Sequence, residues 1–233
     1  MDRRAWPAGL LILLSLASCK VASEEAGTFG AQKRTLRSDP SQVYYLYLPE
    51  AYTPDRRWPV MVSVHPSEGD GRSLLLTWEP HADRDGFVLI SPTFPPGYNR
   101  LAGGEDEKML AILREVGEEV PLEERVFLVG FSGGGQFAHR FAFRHPERVL
   151  GVSVMSAGQY DPPPEAGAKL PFLVTVGADD NDTPDRVALA TWFAGALQAA
   201  GYPVQFEVIP GVGHWASDRA VELTLNFFRS LLQ

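Results

Sequence analysis

Gly130-Phe131-Ser132-Gly133-Gly134 follows the apolar run Arg125-Val126-Phe127-Leu128-Val129 and leads directly into a helical pattern. This is the G-x-S-x-G pattern in a strand–turn–helix context, which holds a serine hydroxyl above the carboxyl edge of a sheet. The turn is so tight that the flanking residues must be nearly free of side-chain atoms, a demand that Gly130 and Gly134 meet. The pattern predicts that Ser132 is a nucleophile.

Two other interpretations of this turn stay open. The glycines could only let a helix pack close to a strand, or they could form a nucleotide-binding loop. The dinucleotide fingerprint G-x-G-x-x-G needs a glycine where this chain has Ser132. A phosphate loop of the Walker type ends in Gly-Lys-Ser/Thr, and no lysine lies between Lys108 and Lys169. The comparison of patterns favours the nucleophile.

The bulk composition is that of a globular domain. The 233 residues suffice for one domain with a full hydrophobic core. Hydrophobic residues make up 45% and charged residues 21% of the chain, an ordinary balance. The formal net charge is −8 and no basic stripe offsets it, which argues against nucleic acid as a partner.

The first residues have the pattern of a targeting segment. Arg3 and Arg4 precede an apolar stretch over residues 10–17 that is too short to span a bilayer comfortably. Leu16-Ala17-Ser18-Cys19 then resembles the lipobox of bacterial lipoproteins, in which the cysteine is lipidated and becomes the first mature residue. The alternative is an ordinary secretory signal whose cleavage region happens to contain a cysteine.

The lipoprotein interpretation defines the expected organisation of the chain. We expect a signal peptide over residues 1–18, a flexible tether over 19–34 and a catalytic domain over 35–233. A lipid on Cys19 would anchor the protein to a membrane of the bacterial cell envelope, and Lys20 favours the outer membrane because the resemblance would place aspartate there for inner-membrane retention. Cys19 is the single cysteine, so the mature fold forms no intramolecular disulfide.

Apolar runs alternate with helical patterns from about residue 60 onward, which predicts a mostly parallel sheet with helices on both faces. Such a sheet carries its chemistry at the carboxyl ends of its strands. Besides the run before Ser132, we predict strands over residues 43–48, 59–65, 87–90, 149–155, 171–176 and 204–209. We predict helices over residues 73–83 and 105–116, from Pro184 to about Ala200 with Thr183 as N-cap, and from Ser217 onward.

A serine hydroxyl needs a base to accept its proton. Of the five histidines, His214 lies in a glycine-rich loop between the last predicted strand and the last predicted helix. That is the position of the base in the chain order Ser…Asp…His. His81, His139 and His145 lie within helical segments and are expected to be packing or surface residues.

A carboxylate is needed to orient the imidazole and to stabilise its cation. The segment 177–184 follows a predicted strand and offers Asp179, Asp180 and Asp182. Asp182 could instead support the Thr183 cap through the helix dipole. Asp179 and Asp180 both remain candidates, and we choose Asp180.

These motifs together resemble the α/β-hydrolase superfamily, and within it the small esterases grouped with polyhydroxybutyrate depolymerases and feruloyl esterases. The resemblance covers about Tyr44 to the C-terminus and rests on the following matches: Gly130–Gly135, His145–Val149, Gly177–Asp180 with Pro184, and Gly213–Trp215. It implies an α/β-hydrolase fold without a large lid domain, Asp180 as the triad acid, and chemistry that needs no cofactor or metal ion.

One departure from the family concerns the oxyanion hole. The family often has His-Gly after the strand that here ends in His65-Pro66-Ser67. Pro66 has no N–H to donate, so we predict a hole formed by the N–H groups of Gly133 and Ser67. His65 itself is expected to bond nearby backbone rather than to act in catalysis.

These residues predict a serine carboxylester hydrolase that forms an acyl-enzyme on soluble or cell-envelope esters, such as acetylated or feruloylated carbohydrates and short hydroxyacid esters. Trp78, Tyr98 and Trp215 are candidates for an aromatic rim around the substrate. Two alternatives stay open: a serine peptidase of the same fold, and a non-catalytic envelope lipoprotein that uses the fold as a binding module.

Overall fold

The structure, a computed structural model, describes residues 30–181 and 184–233. Its strands are β1 (Gly30–Leu36), β2 (Asp39–Leu48), β3 (Val60–Val64), β4 (Val88–Thr93), β5 (Val126–Phe131), β6 (Val149–Met155), β7 (Phe172–Gly177) and β8 (Val204–Ile209). They form one sheet of eight strands in the order β1-β2-β4-β3-β5-β6-β7-β8. Strand β2 is antiparallel to both of its neighbours, and every pair from β4 to β8 is parallel. The predicted, mostly parallel sheet is confirmed.

Helices cover both faces of this sheet. They are α1 (Gly71–Asp85), α2 (Glu105–Gly117), α3 (Gly133–Arg144), α4 (Arg186–Ala199) and α5 (Asp218–Leu231). Because side chains alternate along a strand, Val126 and Leu128 of β5 enter the core with α2, α3 and α4. Phe127 and Val129 enter the opposite core with α1 and α5.

The prediction of a tether over residues 19–34 was wrong at its end, because the sheet already begins at Gly30. Strand β1 pairs antiparallel with β2, from Gly30 opposite Leu48 to Thr35 opposite Val43. Its sequence lacks an apolar alternation because β1 is an edge strand whose residues are mostly half-buried or exposed. Charged side chains such as Lys33 and Arg34 are typical of edges, where they discourage pairing with other chains.

The predicted start of α4 was also wrong. The helix begins at Arg186, and Asp185 is its N-cap, with a carboxylate that accepts a hydrogen bond from Ala188 N at 3.0 Å. An aspartate caps at least as well as a threonine and adds a favourable charge at the helix N-terminus. Thr183, the predicted cap, lies outside the described residues, as do the signal peptide and Cys19.

None of the helices within residues 30–181 and 184–233 has the length and apolar character needed to cross a bilayer.

Candidate active site

The turn between β5 and α3 holds Ser132 in a strained conformation. Its φ of 54° and ψ of −115° lie in a region that residues with a side chain rarely adopt. A Cβ on Gly134 would overlap the carbonyl oxygen of Val64, and one on Gly130 would overlap the backbone of Gly134. The turn is therefore as tight as the glycine pattern predicted. It places Ser132 at the carboxyl end of strand β5.

The structure brings together three predicted residues that are far apart along the chain. His214 Nε2 lies 3.0 Å from Ser132 Oγ, and His214 Nδ1 lies 2.8 Å from Asp180 Oδ2. The carboxylate accepts from Nδ1–H, so Nε2 carries the lone pair that faces the serine hydroxyl. The imidazole also packs against the Phe131 ring, with 4.8 Å between ring centroids. This is the arrangement in which an imidazole can take a proton from an attacking serine.

Asp180 rather than Asp179 faces the imidazole. Asp180 is buried with 3% of its surface exposed, while Asp179 is exposed. The turn after β7 closes through a 3.1 Å hydrogen bond from Asp180 N to Gly177 O. The choice of Asp180 matches this geometry.

The loops that carry the acid and the histidine are joined by their backbones. Asp179 N donates to Val212 O at 2.9 Å, and Ala178 N donates to Ile209 O at 2.8 Å. A Cβ on Gly177 would overlap the carbonyl of Val212, so a glycine is required for this close approach. These backbone hydrogen bonds join the two loops and keep His214 close to Asp180.

Besides His214, Arg186 contacts the Asp180 carboxylate, and no sequence pattern pointed to this arginine. Arg186 Nη1 donates to Asp180 Oδ1 at 3.2 Å, and Arg186 N donates to Asp180 O, also at 3.2 Å. Arg186 is the first residue of α4. Its proximity to the acid depends on where α4 begins relative to the end of β7, which spacing alone does not reveal.

The two residues predicted to supply the oxyanion donors lie close together. Gly133 is the first residue of α3, where a backbone N–H has no partner within the helix. A Cβ built on Gly133 would lie 3.0 Å from Ser67 N and would overlap the Ser67 hydroxyl. Ser67 thus fills the space that a side chain at position 133 would occupy. The role of the Gly133 and Ser67 N–H groups stays a prediction.

His65 ties the loop after β3 to the loop after β4. Its Nδ1 donates to Pro66 O at 2.6 Å, and its Nε2 accepts from Phe94 N at 3.0 Å. Burial lowers the pKa of this imidazole, which keeps it neutral and able to both donate and accept. The expectation that His65 bonds nearby backbone is confirmed. It braces the segment that presents Ser67.

Two of the predicted rim residues are not on the surface. Trp78 has no exposed surface, because at helical spacing it shares the sheet-facing side of α1 with Leu74 and Ala82. Tyr98 is 1% exposed, and its hydroxyl donates to His65 O, which directly follows strand β3. Burial raises the pKa of Tyr98, so the hydroxyl keeps its proton. Trp215, by contrast, is 53% exposed, and its rim role stays a prediction.

The other helical histidines have packing partners. His139 is fully buried, with Nδ1 donating to Gly135 O at 2.9 Å and Nε2 accepting from Asp161 N at 3.0 Å. His145 Nε2 lies 3.3 Å from Asp106 Oδ2. Within the described part of the chain, no group of three or more His, Cys, Asp or Glu side chains is placed to hold a metal ion.

Comparison with known proteins identifies the fold. No family model matches the chain. Feruloyl esterase B from Thermothelomyces thermophilus is 26% identical over 171 residues, which is 67% of this chain and 56% of that relative. The chain therefore spans little more than half the length of this relative.

Two solved structures superpose over most of the chain. The poly(3-hydroxybutyrate) depolymerase LpqC from Bordetella parapertussis matches with a TM-score of 0.71 and 23% identity, over 88% of this chain and 92% of its own. A ferulic acid esterase from Anaeromyces mucronatus matches with a TM-score of 0.70 and 15% identity, over 89% and 92%. At these identities the matches establish the fold, which is that of the α/β-hydrolases.

Proposed function

We propose that this α/β-hydrolase-fold protein is a serine carboxylester hydrolase that acts through an acyl-enzyme. The observation that carries the proposal is the hydrogen-bonded series from Ser132 Oγ to His214 Nε2 at 3.0 Å and from His214 Nδ1 to Asp180 Oδ2 at 2.8 Å. The names of Feruloyl esterase B, of the poly(3-hydroxybutyrate) depolymerase and of the ferulic acid esterase support the same reaction class.

In the proposed reaction, Ser132 Oγ attacks the ester carbonyl while His214 Nε2 accepts the hydroxyl proton. The carbonyl oxygen becomes an oxyanion that accepts hydrogen bonds from the N–H groups of Gly133 and Ser67. The carbon–oxygen bond to the leaving alcohol breaks, and that alcohol receives the proton from His214. A water then attacks the acyl-serine by the same steps in reverse order, which releases the acid and restores Ser132.

For substrates, we propose soluble or cell-envelope esters, including acetylated or feruloylated carbohydrate and short hydroxyacid esters. Strand β6 connects to β7 through the loop 156–171, so this part of the described chain inserts no lid domain over Ser132. An open site suits an ester that is attached to a larger carbohydrate or polymer. Trp215 offers an exposed ring beside His214 for such a substrate.

The test of the proposed function combines covalent labelling with turnover. A fluorophosphonate should label the wild-type chain at Ser132 and leave Ser132→Ala unlabelled, because only an activated serine displaces the fluoride. A panel of nitrophenyl esters and aminoacyl amides then separates the candidates. Turnover of esters but not amides supports the esterase, preference for amides indicates the peptidase, and absence of labelling with folded protein indicates a binding module.

We further propose that the protein is attached to the bacterial cell envelope by a lipid on Cys19. The support is the sequence of residues 1–19, with its positive start, short apolar stretch and single cysteine. Cys19→Ser should move the protein from the membrane fraction to the soluble fraction of the host cell, measured by immunoblot. Unchanged partitioning of the variant would reject lipid attachment at this residue.

A further inference from the structure

The carboxylate of Asp180 is bound on both oxygens. Oδ2 faces His214 Nδ1 at 2.8 Å, and Oδ1 accepts from Arg186 Nη1 at 3.2 Å. The Asp180 side chain is 2% exposed and that of Arg186 is 17% exposed, so this ion pair is largely withdrawn from water. The backbone N–H of Arg186 also donates to Asp180 O. Arg186 thus donates hydrogen bonds to both the backbone carbonyl and the side-chain carboxylate of Asp180.

We propose that Arg186 is a positioning residue for the triad: it holds Asp180 with Oδ2 toward His214 and balances part of the carboxylate charge. This inference rests on the proposed function of the site. A buried carboxylate with a single partner is costly and free to rotate. A guanidinium on Oδ1 satisfies the second oxygen and leaves Oδ2 aimed at the imidazole, as outer partners do for metal-ligating histidines.

The guanidinium also has an electrostatic effect on His214. A positive charge on the far side of the carboxylate disfavours a second positive charge on the imidazole. Removing it should let His214 protonate at higher pH, where the protonated ring can no longer accept the Ser132 proton.

The other groups around this pair do not duplicate the charge of Arg186. The groups that face the imidazole are Ser132 and Phe131 from β5 and its turn, and Asp180 from the loop after β7. Tyr160 lies near Asp180 and Arg186, and burial raises its pKa, so it is neutral at physiological pH. Among the described residues, the remaining ionisable neighbours in sequence are Asp179 and Asp185, exposed carboxylates that cannot supply a positive charge.

The chain contains a matched arrangement that serves as a control. At the C-terminal end of α3, Arg144 Nη1 lies 2.9 Å from Asp106 Oδ2, and His145 Nε2 lies 3.3 Å from the same oxygen. This group also combines an arginine, a buried aspartate and a histidine. It lies at the opposite end of α3 from Ser132, so losing Arg144 should leave ester turnover unchanged.

The kinetic experiment compares Arg186→Gln, Arg186→Lys and Arg144→Gln with the wild type from pH 5 to 9. For Arg186→Gln we expect the acid limb of kcat/KM to move up by about one pH unit, with about a tenfold loss at pH 6 and a much smaller loss at pH 8. Arg186→Lys should recover most of the shift because it keeps the charge. A deficit in Arg186→Gln that is equal at pH 6 and pH 8 would contradict the charge effect of Arg186 on His214.

A second readout does not depend on ester turnover. The imidazole signal of His214 in the NMR spectrum, identified by its loss in His214→Gln, should titrate at higher pH in Arg186→Gln than in the wild type. An unchanged midpoint in folded protein overturns the inference. If the wild type neither hydrolyses esters nor reacts with a fluorophosphonate, the proposed function fails, while the NMR shift still decides whether Arg186 tunes His214.

Discussion

The backbone strain at Ser132 has a clear consequence for single-residue substitutions. Its φ of 54° is held by the hydrogen bond from Ser132 N to Met155 O at 2.8 Å, and neither feature involves the hydroxyl. We therefore expect Ser132→Ala to lower ester turnover on the order of 10⁴-fold or more without lowering the melting temperature. Kinetics with a nitrophenyl ester and a thermal melt measure the two effects.

Ser156 provides the matched control for that substitution. It also has a positive φ, 48°, and follows the neighbouring strand β6, but in the described structure it is Ser132, not Ser156, that is hydrogen-bonded to the His214 imidazole. Ser156→Ala should keep its ester turnover. Activity of Ser132→Ala within a few fold of the wild type would contradict the assignment of the nucleophile.

The pH dependence of turnover follows from the need for a neutral ring at His214. Only the neutral ring presents a lone pair to Ser132 Oγ, and imidazoles commonly gain their proton between pH 8 and 5. We expect kcat/KM to fall as the pH is lowered through this range, while intrinsic fluorescence at each pH confirms that the chain stays folded. A flat profile from pH 5 to 8 would exclude a histidine base.

The residues of the site differ in how far sequence alone could identify them. Ser132 and His214 follow from chain order and from their position after strands. Asp180 and Asp179 are equivalent by spacing. The family resemblance favours Asp180, and in the structure Asp180 is the buried one of the two. The prediction of Trp78 as a rim residue was wrong because residue type alone does not distinguish an aromatic side chain at a site from one in the core. Trp78 is buried because it lies on the same face of α1 as Leu74 and Ala82.

Among the elements, the β5–α3 turn is the least tolerant of added atoms. A Cβ at Gly134 would overlap Val64 O, which belongs to the rigid backbone of β3. We expect Gly134→Ala to lower the free energy of unfolding by about 3 kcal/mol or more, as measured by urea denaturation. Gly195→Ala in α4 is the control, since a Cβ added there would meet no neighbouring atom within 4 Å. Because alanine is a better helix former than glycine, this variant should gain about 0.5–1 kcal/mol of unfolding free energy. Equal stability of the two variants would contradict this account of the turn.

The elements that sequence patterns recovered are those with a single dominant physical signal. Central parallel strands are covered on both faces and therefore appear as continuous apolar runs, as in β5 and β6. Strand β1 carries no such signal because only its pairing with β2 defines it. The start of α4 was misplaced because Thr183 and Asp185 are both good caps, and local sequence does not decide between them.

At the scale of the whole molecule, His139 links several elements. Its ring packs against Phe143 of α3, Tyr160 of the β6–β7 connection and Phe193 of α4, with centroid distances of 5.7, 5.5 and 5.3 Å. Both ring nitrogens bond backbone groups, one of them as an acceptor from Asp161 N. Protonation of this ring would place a charge in the core and break that hydrogen bond. Its titration is therefore coupled to global unfolding.

Burial lowers the pKa of His139 to about 4, whereas an unfolded histidine titrates near 6.5. Between these values the unfolded chain binds more protons, so the stability from this group is complete above about pH 6.5 and is lost as the pH falls toward 4. We expect it to contribute about 3 kcal/mol to the difference in unfolding free energy between pH 7 and pH 4.

Paired carboxylates also lose stabilisation in acid, so the measurement compares urea denaturation of His139→Gln with the wild type at both pH values. His139→Gln should be less stable at pH 7 but much less sensitive to acid. Burial also lowers the pKa of His81 on α1, but that ring is only half-buried, so His81→Gln should lose much less of the wild type's acid sensitivity than His139→Gln. If His139→Gln lost as much stability in acid as the wild type, another group would have to carry the transition.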